Sequence, residues 1–544
     1  MSASTPGAEA DGGEAARAIG PARTPPVMPR PGFRTRRTMT SPEESTRLTA
    51  PFKPPAPHVV IVGGGLAGLA TAAALVGHGL RITLLESRPR LGGRASSFVD
   101  PATGEHVDNC QHVSMACCTN LADFCRRVGT ADLFRREPAV LFLDEQGRLS
   151  PLGAGRLPAP FHLAGGFLRA RYLTWAEKLR VGYGLARLVR DRAGRPGETF
   201  AAWLLRHGQT PRTVERFWAT VLVSALNERL DRMDVGHARK VFLDGFLRNR
   251  AGAAMEVPLV PLGELYGTRL ERWLGEHGVD VRLTTGVRSV DLDAEGSACG
   301  VTLRSGEVLA ADFVVAAVPF DRVAGILPEG ARARIAGLAH LEQFQSSPIT
   351  GVHLWFDRPV CPFDHAVVVG RLIQWVFNHT ALQGRVGPSG AGQYLQLVIS
   401  ASYDLLGLDK AAILAAVRAD LARIWPATDE ANLRRWWVVT EHGATFSVRP
   451  GIDALRPAQH TEVEGLFLAG DWTATGWPAT MEGAVRSGYL AAEGVLADLG
   501  RPARLLRPGL RAAPLARLLL GPPDPERPPV PALAATPRPT PLPR

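Results

Sequence analysis

The sequence predicts an α/β fold with a Rossmann-like dinucleotide-binding domain and a further domain beside it. Three observations carry this reading. The stretch HVVIVGGGLAGLATAAALVGHGLRITLLES, from His58, sets a glycine-rich turn between an apolar strand and a helix. A second strand–turn–helix element, GLFLAGDWTATGWPATMEGAVRSGYLAAE, starts at Gly465. Between them, LYGTRLERWLGEHGVDVRLTTGVRSVDLD reads as an amphipathic helix followed by strands, with a buried strand at Phe313–Val318 after it. A chain of 544 residues exceeds what one core supports, so at least two domains are expected.

The composition, 45% apolar and 21% charged, is that of a folded chain. A net charge of +10 invites a nucleic-acid reading, but its distribution argues against one. Residues 1–57 hold eight Lys/Arg against five Asp/Glu, and residues 501–544 eight against two, leaving 58–500 at +1. These ends also hold 24 of the 44 prolines. Such segments bury too little apolar surface to order themselves, so 1–57 and 501–544 are expected to be disordered tails. The first lacks the apolar core of a signal peptide, and Met39 within it is a candidate start. No run of 18 apolar residues is present. A cytoplasmic location with reduced cysteines is therefore expected.

In the first element, Val59–Val62 reads as a buried parallel strand. Gly63, Gly65, Leu66, Ala67 and Gly68 then form G-x-G-x-x-G, opening a helix. The glycines make a tight turn and let backbone N–H groups approach a pyrophosphate, which the helix N-terminus also favours. Glu86 ends the second strand 18 positions beyond Gly68, where a carboxylate accepts ribose hydroxyls. Ser87 follows it, and Gly93 leads to Arg94, whose guanidinium suits a phosphate. In the far element, Leu466–Ala469 reads as a strand, Gly470-Asp471 as a turn and Met481 onward as a helix. Met481, Glu482 and Ala484 open that helix. Ala484, Gly488, Ala491 and Ala492 give it a small-residue face, suited to close packing on a cofactor or a sheet.

The stretch VDNCQHVSMACCTN (Val107–Asn120) holds Cys110, Cys117 and Cys118, and Cys125 follows. Its C-x6-C spacings and adjacent pair are poor ligand geometry, so no metal site is expected. The thiols read as small buried packers.

The strings DNCQHVSMACCTNLADFCRRVG, LVSALNERLDRM, VPLVPLGELYG, SPITGVHLWFDRPV, QWVFN, ATFSVRPGIDALRP and LAGDWTATGWPATMEGAVRSG occur in this order. Together with the Gly92-Gly93-Arg94 run after Glu86, the chain resembles the hydroxysqualene dehydroxylases. These are squalene-associated FAD-dependent desaturase-like enzymes of bacterial hopanoid pathways, within the flavin amine oxidase and phytoene desaturase superfamily. The resemblance covers about His58 to Asp498 and implies FAD as cofactor in an amine oxidase/GDI-like fold. It implies an FAD domain assembled from 58–149, 255–319 and 441–500, with an inserted mixed sheet-plus-helix substrate domain, an α+β cap, from 150–254 and 320–440. The Gly470-Asp471 element would close over the ribityl chain and flavin ring, with Asp471 on the ribityl or pyrophosphate side. Val287 would contact adenine through its backbone. One departure stands out: Cys110 occupies the glycine of the family's D-N-G-Q-H.

The implied reaction removes the allylic hydroxyl of hydroxysqualene to give squalene. The protein must exclude water, protonate the leaving oxygen and hold the carbon near the flavin. Asp108 and His112 are the candidate proton donors. Trp355, Trp375, Phe377, Trp472 and Trp477 are candidate aromatic walls for a cationic intermediate. Residues Gly166–Arg192 carry seven basic and two acidic residues among aromatics, a pattern suited to a membrane interface. A long-chain isoprenoid substrate, peripheral membrane contact there and an unidentified electron donor for the flavin are the expected partners. A carotenoid desaturase, an amine oxidase and a flavin-free prenyl-lipid carrier stay open as alternatives.

Overall fold

Val59, Val60 and Ile61 are wholly buried, as a strand covered on both faces requires. Their strand, His58–Val62, pairs in parallel with Arg81–Leu85 on one side and Phe313–Ala316 on the other. Asp280–Arg282 and Leu466–Leu468 take the two edges of this five-stranded parallel sheet. Three distant stretches of chain thus meet in one layer. The computed structural model describes residues 56–385 and 392–523.

The second large sheet is mixed and seven-stranded. Its order is Leu433–Phe446, Ser346–Phe356, Gln393–Ser400, Trp375–Asn378, His365–Val368, Ala139–Leu143, Leu149–Gly153. All neighbours are antiparallel except His365–Val368 with Ala139–Leu143. The expected boundary at 149/150 therefore cuts a hairpin, Ala139–Gly153, that belongs to this sheet. The boundary at 440/441 likewise falls inside Leu433–Phe446. Strand alternation is weak in these segments, and pairing rather than sequence pattern decides their place.

Helix Leu66–Leu75 is buried along its length and packs on helix Met481–Asp498. The small residues of the latter serve this contact. A Cβ on Gly488 would lie 2.3 Å from the Ala67 carbonyl oxygen, and Thr71 Oγ1 donates to the Gly488 carbonyl at 3.3 Å. Among the described residues, no helix is long and apolar enough to cross a membrane.

The tail expectation needs correction. Residues 1–55 and 524–544 lie outside the described residues, but 501–523 pack on the body. Leu505 and Leu506 are buried in the core around Val495 and Leu496, and their amides donate to Glu493 at 2.7 and 2.9 Å. Asn120 accepts from the Arg507 amide at 2.8 Å and donates to its carbonyl at 3.2 Å. A helix, Pro514–Leu520, follows. Composition averaged over the segment hid the two leucines that anchor it.

Candidate functional site

The glycines of the first turn divide by task. A Cβ on Gly63 would meet the Ala317 carbonyl oxygen at 2.4 Å, and one on Gly68 the Gly63 carbonyl oxygen at 2.0 Å. Both are demanded by backbone packing. Gly65 is different: its nearest neighbour would be Gly93 Cα at 4.0 Å. The space beside Gly65 is faced by Gly93 and by the start of helix Leu66–Leu75, which has no side-chain cap and no acid in its first turn. Free amides at a helix start, in a cradle that a methyl would fill, fit a pyrophosphate. Glu86 is buried and ties the turn to the second strand, accepting from the Gly64 and Arg88 amides, both at 2.8 Å. Ser87 is exposed, and its hydroxyl lies 3.2 Å from Glu86. The backbone following Arg282 is held to Glu86 through Thr285 at 2.8 Å, which brings buried Val287 to the same end of the sheet.

Arg94 does not stand free for a phosphate. It donates to Asp471 at 2.6 Å and to the Ala444 carbonyl at 2.9 Å, so the Gly-Gly-Arg run and the Gly-Asp turn are joined directly. Gly470 cannot carry a side chain, since a Cβ would lie 2.4 Å from Trp472 Nε1. Trp472 itself is buried and donates to the Val318 carbonyl at 2.9 Å, so it is a spacer, not a pocket wall. Met481 and Ala484 stand at the start of the last long helix, capped by Thr480. Glu482, expected among the cofactor contacts, has another duty. Its carboxylate accepts from the Leu121 amide at 2.7 Å and from Asn120 Nδ2 at 2.8 Å, capping helix Thr119–Arg127. Burial pushes its pKa up while these donors oppose the shift.

Next to this element lies a cavity of about 220 Å³. Met115, Cys117 and Cys118 form one wall, Thr220–Leu226 and Val241–Phe246 another, and Pro478–Glu482 a third. Trp375 and Trp477 line it. Trp355 and Phe377 do not. Trp355 is stacked between the Arg435 guanidinium, 3.8 Å from its ring centre, and Tyr394, at 4.2 Å. Phe377 lies behind Trp375, stacked at 5.3 Å, with Cys110, Met255 and Val398.

Neither expected proton donor lines the cavity. Asp108 is fully buried and clasps Ser97 Oγ at 2.5 Å and the Leu262 amide at 2.9 Å. Its Oδ2 has no partner in the structure, and burial pushes its pKa up to about 6. Its place is the joint between strand Ser97–Val99 and the turn at Leu262. His112 Nδ1 lies 2.9 Å from the Cys110 carbonyl. A carbonyl only accepts, so the neutral ring carries its proton on Nδ1 and leaves Nε2 as an acceptor. Burial, and then the Arg94 charge, lower its pKa. A ring in that state is a poor acid at neutral pH. Cys110 is buried among apolar neighbours, its thiol pushed up to about 12 by burial. It packs near Gly351 and does not narrow the cavity.

Sequence reasoning missed the ion pair in the cavity wall. Lys240 donates to Asp244 at 2.9 Å, and Arg248 donates to the other Asp244 oxygen at 2.9 Å. The Lys240 ammonium also sits 5.0 Å from the Trp477 ring centre. Lys240 ends helix Val235–Lys240, and Asp244 lies on the wide π-type turn Val241–Leu247 that follows. The Lys-x-x-x-Asp spacing was a signal, but nothing in the sequence placed it beside Trp477. Asn120, which bridges Glu482 to the Arg507 segment, was also unseen.

The model of the family described as flavin containing amine oxidoreductase matches residues 66–496. That of pyridine nucleotide-disulphide oxidoreductase matches residues 18–112. Hydroxysqualene dehydroxylase of Sinorhizobium fredii is 30% identical over 81% of this chain and 99% of its own length. The 15-cis-phytoene desaturase of Narcissus pseudonarcissus is 27% identical over 84% of this chain and 83% of its own. Among solved structures, an oxidoreductase from Methanosarcina mazei superposes with a TM-score of 0.62 at 16% identity, covering 81% of this chain and 100% of its own. A protoporphyrinogen oxidase described from Exiguobacterium gives 0.58 at 21%, covering 81% and 99%. At those identities the two structures speak for the fold.

Proposed function

This chain belongs to the flavin containing amine oxidoreductase family, and from that premise we propose that it reductively removes the hydroxyl of hydroxysqualene to give squalene. FAD is the cofactor. Bound and reduced, FAD would supply the hydride that such a reaction requires. Gly65, Gly93 and Glu86 would hold its adenosine and pyrophosphate portion, and Asp471, Met481 and Ala484 the remainder. The observation that carries the reading is the cavity: apolar walls, two indole faces and one Lys–Asp pair. The apolar walls exclude water and suit an isoprenoid chain. Trp375 and Trp477 offer aromatic faces to a developing cation.

In this proposal Lys240 is the proton donor. Its ammonium gives one proton to the departing hydroxyl, which leaves as water. The neutral amine stays beside Asp244 and is reprotonated from solvent. Peripheral attachment through 166–192 on the cytoplasmic side of a membrane belongs to the same reading, since such a substrate is supplied from a bilayer.

A second reading has its own support in the desaturase similarity. A desaturase would use the same cavity to take hydride from a polyene rather than give it to an alcohol. The two are separated by paired assays. Reduced, FAD-loaded protein incubated anaerobically with hydroxysqualene should yield squalene. Oxidised protein with phytoene and a quinone should yield no desaturated product. The reverse pattern would overturn the first reading in favour of the second.

A further inference from the structure

Among the described residues, several exposed apolar side chains outside the cavity lie on chain segments that carry almost no negative charge. Helix Trp175–Arg190 turns Trp175, Leu179 and Tyr183 outward, 66%, 75% and 54% exposed, at the i, i+4, i+8 spacing of one helical face. Upstream, Leu157, Phe161 and Leu168 are each about half exposed. At the other end of the sequence, Leu518 and Leu519 of helix Pro514–Leu520 are 79% and 48% exposed. Exposed leucines and a tryptophan grouped in this way mark an interaction surface.

The structure ties these pieces together through residues 248–250. Arg248 donates to the Gly521 and Pro522 carbonyls at 2.8 and 3.1 Å, and its own carbonyl accepts from the Ala513 amide at 2.9 Å. Asn249 donates to the Arg511 carbonyl at 2.8 Å. Arg250 reaches the Arg156 carbonyl at 3.4 Å. On the other side, Lys178 donates to the Leu168 carbonyl at 2.7 Å, joining the long helix to the 157–168 segment. The same hub reaches inward, because Arg248 and Lys240 share Asp244 in the cavity wall.

Charge identifies the occupant. Residues 154–190 hold seven Lys/Arg and one carboxylate, Glu177. That carboxylate is buried in the cap of its own helix and paired with Arg212. Residues 501–523 hold five arginines and no acid. Arg156, Arg169, Arg171, Arg180, Arg511 and Arg517 are exposed. Two copies of such a face would repel each other, and a nucleic acid has no use for the leucine rows. An apolar surface rimmed by arginines suits the interface of a bilayer with anionic headgroups.

We propose that residues 157–183 and the helix Pro514–Leu520 form one docking face for an anionic bilayer, with the carboxyl-terminal helix as its second anchor. The segment that composition marks as a tail is thereby a working part of the body. The inference rests on the peripheral attachment proposed above and extends it to a defined face with a second anchor; turnover in detergent and bilayer binding are separate readouts, so either can fail without the other.

The test is flotation of the FAD-loaded full chain with vesicles of phosphatidylcholine, alone or mixed with phosphatidylglycerol. Wild type should float with the mixed vesicles and stay soluble with phosphatidylcholine alone. Leu518→Glu/Leu519→Glu and Trp175→Glu/Leu179→Glu should each lower the bound fraction at least about five-fold, with the flavin band and circular dichroism unchanged. Should either pair disturb the fold, Arg511→Gln/Arg517→Gln leaves the apolar rows intact and should detach at lower salt than wild type. Wild type that stays soluble with anionic vesicles would overturn the proposal. So would a correctly folded Leu518→Glu/Leu519→Glu variant that floats like wild type, or light scattering that shows these leucines buried in a dimer.

Discussion

In the glycine turn backbone packs on backbone, whereas in the cavity wall side chains do the shaping. At Gly63 and Gly68 an added methyl would collide with a carbonyl oxygen. Around the cavity the decisive contacts are Lys240 with Asp244, Asp244 with Arg248, and Glu482 with Asn120. The first kind of site tolerates almost no change in residue type. The second tolerates isosteric change and responds to loss of charge. A dinucleotide is long and uniform, so backbone amides can hold it. In the proposed reaction the chemistry at the substrate needs specific functional groups, and Lys240 and Asp244 sit on a helix end and a turn whose register the rest of the fold decides.

The largest effect should come from Gly68→Ala. Its methyl would lie 2.0 Å from the Gly63 carbonyl oxygen, and such overpacking against backbone should cost at least about 3 kcal/mol. Loss of both FAD and a cooperative thermal transition is the expected result. Gly65→Ala sharpens the contrast, because φ is −77° there and the methyl meets only Gly93 Cα at 4.0 Å. The apoprotein should melt as wild type does, while flavin titration shows weakened binding. Equal melting losses for the two variants would erase the division of labour among the glycines. Next in size is Lys240→Met, which should retain FAD and lose about 10²–10⁴ in turnover, the usual cost of removing a general acid. Unchanged turnover would remove Lys240 from the reaction.

The same contrast explains what was legible beforehand. His58–Glu86 and Leu466–Ala492 follow local rules: an apolar run, a glycine turn, a small-residue helix, an acid at a strand end. Each is written in contiguous residues, so the strands, turns and helices of these two stretches were readable locally. Trp355 and Phe377 looked like pocket walls because they lie in motifs, yet strand alternation turned them into stacks within the sheet. Arg94 and Asp471 were each read as ligand contacts, and only tertiary structure shows them paired. Lys240 and Asp244 sit on a π-type turn, where the period departs from that of an ordinary helix. No sequence period marks which way they face. Leu505 and Leu506 fall in a Pro-Arg segment, and two buried side chains outweigh its composition.

Asp108 offers a smaller effect that reads stability rather than turnover. Its folded pKa of about 6 lies above the ordinary carboxylate value, because burial disfavours the charge. Between about pH 4 and pH 6 the folded state therefore binds more protons than the unfolded one, and stability falls as pH rises through this window. A shift of this size corresponds to about 3 kcal/mol. In Asp108→Asn the slope over that window should flatten, whatever the variant's absolute stability. Denaturant midpoints measured across the window check this, and a slope equal to wild type would show that Asp108 keeps its charge when buried.

The smallest effect belongs to His112, and its smallness is the point. Burial and the positive charge of Arg94 lower the pKa of the ring, against the Nδ1–H bond to the Cys110 carbonyl, which favours the protonated form. A general acid contributes about 10²–10⁴ in rate. His112→Ala removes only a loop hydrogen bond at 2.9 Å, worth about 1 kcal/mol. Turnover in the FAD-loaded variant should accordingly stay within about tenfold of wild type, and its acid-limb pKa should not move. A loss on the scale of Lys240→Met, with a displaced pH profile, would return the proton-donor role to the Val107–Asn120 stretch and take it from the cavity wall.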